Sequence, residues 1–184
     1  IVLKDINLSV HSGELKGLLG VNGVGKTALI NLILGHIEAS HGLVKVLGEN
    51  PYSDKRIHKH HIGYISQKIT LHKSMKVSFF LEMFSGYYPA YSKQIEESLL
   101  ERFKINPSSN IGALSLGQEK KIQVIANLSA QLKLLIVDEI TAVFDEKSRQ
   151  VFYETITEFK DQQGLGILLA TNTIEVGPSK PPEL

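Results

Sequence analysis

Short apolar runs of the kind that form strands alternate along the chain with stretches of helical periodicity. Ile1–Val10 alternates apolar and polar residues, as a half-buried strand does. Leu134–Val137 and Ile167–Ala170 are uninterrupted apolar runs, which are typical of strands buried on both faces. The predicted strands are Ile1–Val10, Glu14–Leu19, Gly42–Leu47, His61–Ser66, Leu134–Val137 and Ile167–Ala170.

Helical patterns separate these strands. Lys76–Ser109 has helical spacing but contains Pro89 and Pro107, which break helices, so we expect a small helical subdomain there. Phe79, Phe80, Met83 and Phe84 have helical spacing and are expected in its core. The other predicted helices are Lys26–Leu34, Glu119–Gln131 and Glu146–Phe159. Because strands and helices alternate, the pattern favours an α/β fold with a parallel sheet.

Composition narrows the class of protein. The chain has 184 residues, enough for one sizeable core, with 42% hydrophobic and 21% charged residues. A formal net charge of +1 gives no support for a basic nucleic-acid face, so no nucleic-acid partner is expected. The absence of cysteine excludes disulfides and thiolate metal sites. Because the first residue is Ile1 rather than Met, we interpret the chain as a fragment of a longer protein.

A glycine-rich stretch follows the second predicted strand. Gly20, Gly25, Lys26 and Thr27 match the P-loop pattern G-x-x-x-x-G-K-[ST]. Glycines let successive backbone N–H groups face a phosphate, and the following helix N-terminus favours an anion. Lys26 would reach the β- and γ-phosphates, and the Thr27 hydroxyl would bind Mg²⁺. The residues predicted to bind nucleotide are Gly20, Val21, Asn22, Gly23, Val24, Gly25, Lys26, Thr27 and Ala28.

An acidic pair ends the buried run Leu134–Val137. At the carboxyl edge of a parallel sheet, Asp138 would lie beside the glycine loop and could bind Mg²⁺ directly or through water. Glu139 could polarise the attacking water. Alone, each motif has a simpler explanation: a glycine-rich turn before a helix, and a strand that ends in solvent. Their combination favours a nucleotide site.

Four further motifs resemble those of the ATP-binding cassette (ABC) ATPases. Leu114–Gln118, LSLGQ, is similar to the family signature LSGGQ. Gln67 in IGYISQ resembles the Q-loop glutamine, and Ile140–Asp145 resembles the D-loop. LLATNTIE resembles the H-loop, with Asn172 where histidine is usual. The resemblance extends from Ile1 to about Glu175, almost the whole chain.

The resemblance implies a P-loop NTPase core, a mostly parallel sheet flanked by helices. It also implies an antiparallel β part at the N-terminus and an inserted α-helical subdomain. One ABC ATPase domain, truncated at both ends, would span residues 1–184. The nucleotide-binding core would comprise 1–67 and 132–175, the helical subdomain with the signature 68–131, and the tail 176–184.

The resemblance also implies a dimer that closes around ATP. Ser115, Gly117 and Gln118 of one subunit would contact the ATP held on the P-loop of the other. A helix that begins near Glu119 would point its positive end at the γ-phosphate. Gln67 would sense the γ-phosphate or Mg²⁺ and link the core to the helical subdomain. The implied catalytic residues are Glu139, Gln67 and Asn172, and the implied Mg²⁺ ligands are Thr27, Gln67 and Asp138.

The chain departs from the family pattern at several positions. Leu116 replaces a signature glycine, Lys121 stands where arginine is usual, and Ile140 replaces a proline. Asn172 is the departure with chemical consequences, because an amide donates a hydrogen bond but cannot carry a proton or a positive charge. We therefore expect ATP binding to be retained and turnover to be impaired.

Three functions follow from these motifs. The favoured one is the ATP-hydrolysing subunit of an ABC transporter, a homodimer or heterodimer that drives separate transmembrane permease subunits. Such a subunit would be cytoplasmic and peripheral on the inner face of the cell membrane. One alternative is a degenerate cassette that binds ATP and regulates a partner. The other is an ABC ATPase that acts on the ribosome or on nucleic acid.

Overall fold

The fold is built on four parallel strands in the order β1–β4–β3–β2. A computed structural model describes residues 3–53, 60–66 and 71–172. Within them the strands are β1 (Leu15–Leu19), β2 (Ile62–Ile65), β3 (Leu134–Asp138) and β4 (Gly166–Thr171). Parallel neighbours need crossover connections, and a helix supplies the one between β3 and β4. Every residue of β4 is buried, as expected of a central strand.

The described part of the chain contains five helices. They are α1 (Lys26–Ile33), α2 (Val77–Ser85), α3 (Lys93–Arg102), α4 (Leu116–Ser129) and α5 (Glu146–Gln163). Short 3₁₀ turns lie at Ile111–Ala113 and Thr141–Val143. Side-chain caps start three of the helices: Ser92 for α3, Ser115 for α4 and Asp145 for α5. None of these helices is long and apolar enough to cross a membrane.

Two apolar clusters lie against opposite faces of the sheet. Alternation along β3 sends Ile136 to the face where Ile30 of α1 packs. It sends Leu135 and Val137 to the other face, in one large cluster with α4 residues such as Ile125. Asp138, two residues after Ile136, therefore shares the face of α1 and of the glycine loop that precedes α1.

Helix α4 approaches β2 very closely at Gly63. A Cβ atom on Gly63 would lie 2.2 Å from Leu132 Cδ1 and 2.4 Å from Asn127 Oδ1. The fully buried Lys120 ammonium on α4 donates a 2.7 Å hydrogen bond to Ser66 O, directly after β2. These contacts hold the helix that carries the signature against the edge strand of the sheet.

The α/β fold with a parallel sheet is confirmed, but two predicted strands are wrong. Of the predicted strand Ile1–Val10, the described residues 3–10 form no strand, because none of the sheet strands pairs with them and most of their side chains are exposed. Gly42–Leu47 is a loop with a single antiparallel bridge between Val46 and Glu49. The antiparallel β part expected at the N-terminus is therefore absent from the described residues. Alternation alone does not make a strand, because a strand needs a hydrogen-bonded neighbour.

The helices expected within Lys76–Ser109 are present as α2 and α3. The core prediction for these four residues, Phe79, Phe80, Met83 and Phe84, is wrong in part, because Phe79 and Met83 are each more than half exposed. Phe80 and Phe84 do pack against the large cluster. Helix α4 begins at Leu116 rather than near Glu119, so the signature forms its first turn.

Candidate nucleotide-binding site

The glycine loop connects the end of β1 to the start of α1. Gly25 is the N-cap of α1 with φ 112°, a left-handed conformation that glycine adopts without strain, and no side chain caps the helix. The first-turn N–H groups of α1 are therefore oriented toward any anion at this end. A Cβ on Gly20 would lie 2.6 Å from Val24 Cγ1, so a side chain there would require Val24 to move. This backbone fits a phosphate cradle.

The loop is anchored to the end of the neighbouring strand. Gly20 N–H donates a 3.3 Å hydrogen bond to Thr171 O, the last residue of β4. Asn172 follows directly and is exposed. The predicted H-loop position therefore lies at the carboxyl edge of the sheet, next to the strand end that holds the glycine loop.

Lys26 is buried beneath this loop. Its side chain is 6% exposed, and Nζ donates to Gly20 O at 2.6 Å and to Val21 O at 3.3 Å. Nζ also pairs with Glu139 Oε1 at 3.1 Å. These contacts use the three donors of an ammonium group. The structure thus brings the predicted P-loop lysine and the predicted catalytic glutamate into direct contact.

Glu139 bends the chain away from the sheet. Its φ of 51° lies in the left-handed region, which is uncommon for a residue with a side chain. Its N–H donates to Ala170 O of β4 at 3.0 Å. This bend turns the Glu139 carboxylate toward Lys26, whereas a continued strand would carry the side chain to the opposite face from Asp138.

Asp138 is buried and receives a hydrogen bond that the sequence did not predict. The Tyr64 hydroxyl on β2 donates to Asp138 Oδ2 at 3.1 Å. Burial raises the pKa of Tyr64 above its usual value. A hydrogen bond with Ser66 opposes this rise in part, and the charge of Asp138 adds a smaller increase. Tyr64 therefore stays a neutral donor. The motif IGYISQ contains Tyr64, but nothing in it shows that the ring faces Asp138.

The signature forms a capped helix start. Ser115 Oγ accepts a hydrogen bond from Gln118 N–H at 3.2 Å, and Gln118 Oε1 accepts one from Ser115 N–H at 2.9 Å. This capping box leaves the N–H groups of Leu116 and Gly117 without a partner inside the helix. The Ser115 hydroxyl proton also stays available, because Oγ acts as acceptor in the box.

Gly117 also allows the signature to pack closely against the predicted D-loop. A Cβ on Gly117 would lie 3.1 Å from Val143 O, so the signature turn packs against the loop after β3. Among residues 3–53, 60–66 and 71–172, no hydrogen bond or ion pair joins Ser115–Gln118 to the glycine loop. The predicted site residues therefore form two groups, one around Lys26 and one at the start of α4.

The residues available for Mg²⁺ are oxygen donors, as that cation prefers. Thr27 lies exposed in the first turn of α1, and Asp138 lies at the end of β3 on the same face of the sheet. Gln67, the other predicted ligand, lies outside the described residues. The glycine cradle, the hydroxyl and the carboxylate fit a nucleotide with its magnesium ion.

A glycine-loop anion cradle at the edge of a parallel sheet, with an acidic strand end beside it, defines a P-loop nucleotide-binding fold. The family model described as "ABC transporter" matches residues 3–142. The chain belongs to this family.

Individual relatives agree with that membership. The "Ribose import ATP-binding protein RbsA" of Streptococcus agalactiae serotype Ia is 31% identical over 188 residues, which cover 95% of this chain and 37% of the relative. The "Nod factor export ATP-binding protein I" of Rhizobium leguminosarum bv. viciae is 31% identical over 180 residues, covering 95% of this chain and 58% of the relative. The chain thus spans about a third of the length of the first relative and little more than half of the second.

A solved structure shows the same fold. It is described as "Structure of ATP binding subunit of ABC transporter" and superposes with a TM-score of 0.85 at 26% identity. The superposition covers 94% of this chain and 74% of that one. The fold is that of an ABC cassette, as predicted.

Proposed function

We propose that this chain is the ATP-binding and ATP-hydrolysing part of an ABC transporter. The observation that carries the proposal is the 3.1 Å pair between Lys26 Nζ and Glu139 Oε1 at the edge of the sheet. It joins the group that would bind the γ-phosphate to the group that would activate water. The relatives named above, an import and an export ATP-binding protein, support transport as the coupled process.

In this mechanism the glycine loop, Gly20 to Ala28, binds the phosphates of ATP through backbone N–H groups. Thr27 and Asp138 would hold Mg²⁺, which would supply positive charge to neutralise the phosphate oxygens. Lys26 exchanges its contacts with Gly20 O and Glu139 for phosphate oxygens. That exchange releases the Glu139 carboxylate to orient the attacking water.

The signature needs a second subunit in this proposal. Ser115 and the N–H groups of Leu116 and Gly117 are preorganised donors at the positive end of α4. In the part of the chain that the structure describes, no hydrogen bond joins them to the chain's own glycine loop, so they would cover the nucleotide held by a partner cassette.

Phe79 and Met83, exposed on one face of α2, would offer an apolar surface to transmembrane permease subunits. The protein would then act in the cytoplasm, on the inner face of the membrane.

Asn172 is proposed to slow turnover. It sits directly after the strand end that anchors the glycine loop, where the family has a histidine. Losing one transition-state contact of this kind costs about 3 kcal/mol, or about a hundredfold in rate. The same observation favours a second candidate function, a cassette that binds ATP and regulates an active partner.

The test compares three proteins by steady-state Mg-ATP hydrolysis: the wild type, Asn172→His and Lys26→Ala. We expect Asn172→His to exceed the wild type by tenfold or more, about 1.4 kcal/mol in activation free energy. Lys26→Ala gives the background. A fluorescent ATP analogue measures binding separately, and binding by the wild type but not by Lys26→Ala is expected. A wild type that already hydrolyses ATP well above the background would disprove the impairment.

A further inference from the structure

The edge strand β2 supplies a side chain to the carboxyl end of β3, where Mg²⁺ is proposed to bind. Tyr64 and Ile136 are in register across the parallel pair, so their side chains lie on the same face. Asp138 is two residues beyond Ile136 and shares that face. The Tyr64 side chain extends along the sheet by these two residues, and its hydroxyl donates a hydrogen bond to Asp138 Oδ2 at 3.1 Å.

The ring of Tyr64 is half-buried and packs against the smaller apolar cluster, which includes Ile62 and Ile136. The strand end that carries it is held by Lys120, whose Nζ donates to Ser66 O at 2.7 Å. A hydroxyl on a packed ring restricts the orientation of the carboxylate oxygen it contacts.

A buried carboxylate needs such a donor. Asp138 is 9% exposed, and a charged group removed from water is costly without hydrogen bonds to its oxygens. A tyrosine donor leaves the carboxylate its full negative charge, whereas a lysine or arginine at the same place would neutralise it. The arrangement therefore orients Asp138 and preserves its attraction for a divalent cation.

We propose that Tyr64 is a positioning residue that sets the orientation of the Asp138 carboxylate for the magnesium ion of the bound nucleotide. The inference rests on the proposed binding of Mg-ATP. It assigns Tyr64 no contact with the nucleotide, so its effect must act on the metal-dependent part of binding alone.

The experiment measures the dissociation constant of a fluorescent ATP analogue twice, in EDTA and in excess Mg²⁺. The ratio of the two constants is the gain in affinity from the metal. We expect Tyr64→Phe, which keeps the ring, to lower this gain roughly tenfold and to leave the constant in EDTA unchanged. Tyr87→Phe is the matched control, since Tyr87 is 69% exposed and loses the same hydroxyl without an effect on either constant.

A double-mutant cycle separates positioning from packing. In an Asp138→Ala background, Tyr64→Phe should have no further effect on the metal-dependent gain, because its acceptor is gone. An effect of equal size in both backgrounds would overturn the inference, as would an unchanged gain in Tyr64→Phe. Failure of the wild type to bind the analogue under either condition would instead refute the proposed nucleotide function.

Discussion

Replacing Gly63 with alanine tests how closely α4 and β2 are packed. The new Cβ would stand 2.2 Å from Leu132 Cδ1, 2.4 Å from Asn127 Oδ1 and 3.1 Å from Leu135 Cδ1. The first two distances are shorter than any van der Waals contact, so these side chains must move. Leu132 can rotate its methyl groups. Asn127 is held, because its Nδ2 donates to Gln123 O at 2.8 Å.

The cost follows from these contacts. Overpacking a core by one methyl group costs about 1–3 kcal/mol, and the loss of the Asn127 hydrogen bond costs about 1 kcal/mol. We therefore expect Gly63→Ala to lower the unfolding free energy by about 3 kcal/mol. For a chain of this size, that corresponds to a Tm lower by about 6–12 °C.

Thermal and urea unfolding, followed by circular dichroism and tyrosine fluorescence, measure the effect. Gly86→Ala is the control, because Gly86 has helical backbone angles and the nearest atom to its added Cβ is Met83 O at 3.5 Å. The control should be neutral or more stable by about 0.4–1 kcal/mol. Equal stability of the two variants would refute the close packing of α4 on β2.

Two further predictions concern pH. Hydrogen bonds from Ser148 hold the pKa of the Asp145 carboxyl below its usual value of 3.8. The ionised carboxylate therefore stabilises the folded state above pH 3.8, and this stabilisation is lost as pH falls through the folded-state pKa. Acid unfolding should therefore show a smaller loss of stability in Asp145→Ala than in the wild type, and parallel curves would contradict this. Burial lowers the pKa of Lys120 below 10.5, so the unfolded chain binds more protons than the folded chain between the two values. Urea unfolding from pH 7 to pH 10 should show the wild type gaining stability relative to Lys120→Met, and a difference independent of pH would contradict it.

Much of the nucleotide site was determined by the sequence itself. The glycine loop is a run of consecutive residues, and its backbone conformation depends on glycine at Gly25 and on the helix that follows. The buried strand before Asp138 is also a local property, because an uninterrupted apolar run is stable only between two covering layers. The parallel α/β fold followed from the alternation of such strands with helices.

The local sequence pattern gave wrong predictions where the structure of a segment depends on contacts with other residues. The alternation of Ile1–Val10 predicts a strand, but the described chain offers no neighbour to pair with residues 3–10. The signature was placed before a helix and proved to be its first turn, because Ser115 and Gln118 cap each other. The exposed face of Phe79 and Met83 likewise depends on which side of α2 the core covers.

Only the tertiary structure decided which distant groups meet. Tyr64 and Asp138 are 74 residues apart, and their contact depends on the register of β2 against β3 and on the face that both side chains share. Lys26 and Glu139 meet because β1 and β3 flank β4 and because Glu139 leaves the strand with a positive φ. Periodicity along a chain fixes which residues share a face, but the pairing and register of strands arise from packing across the whole sheet.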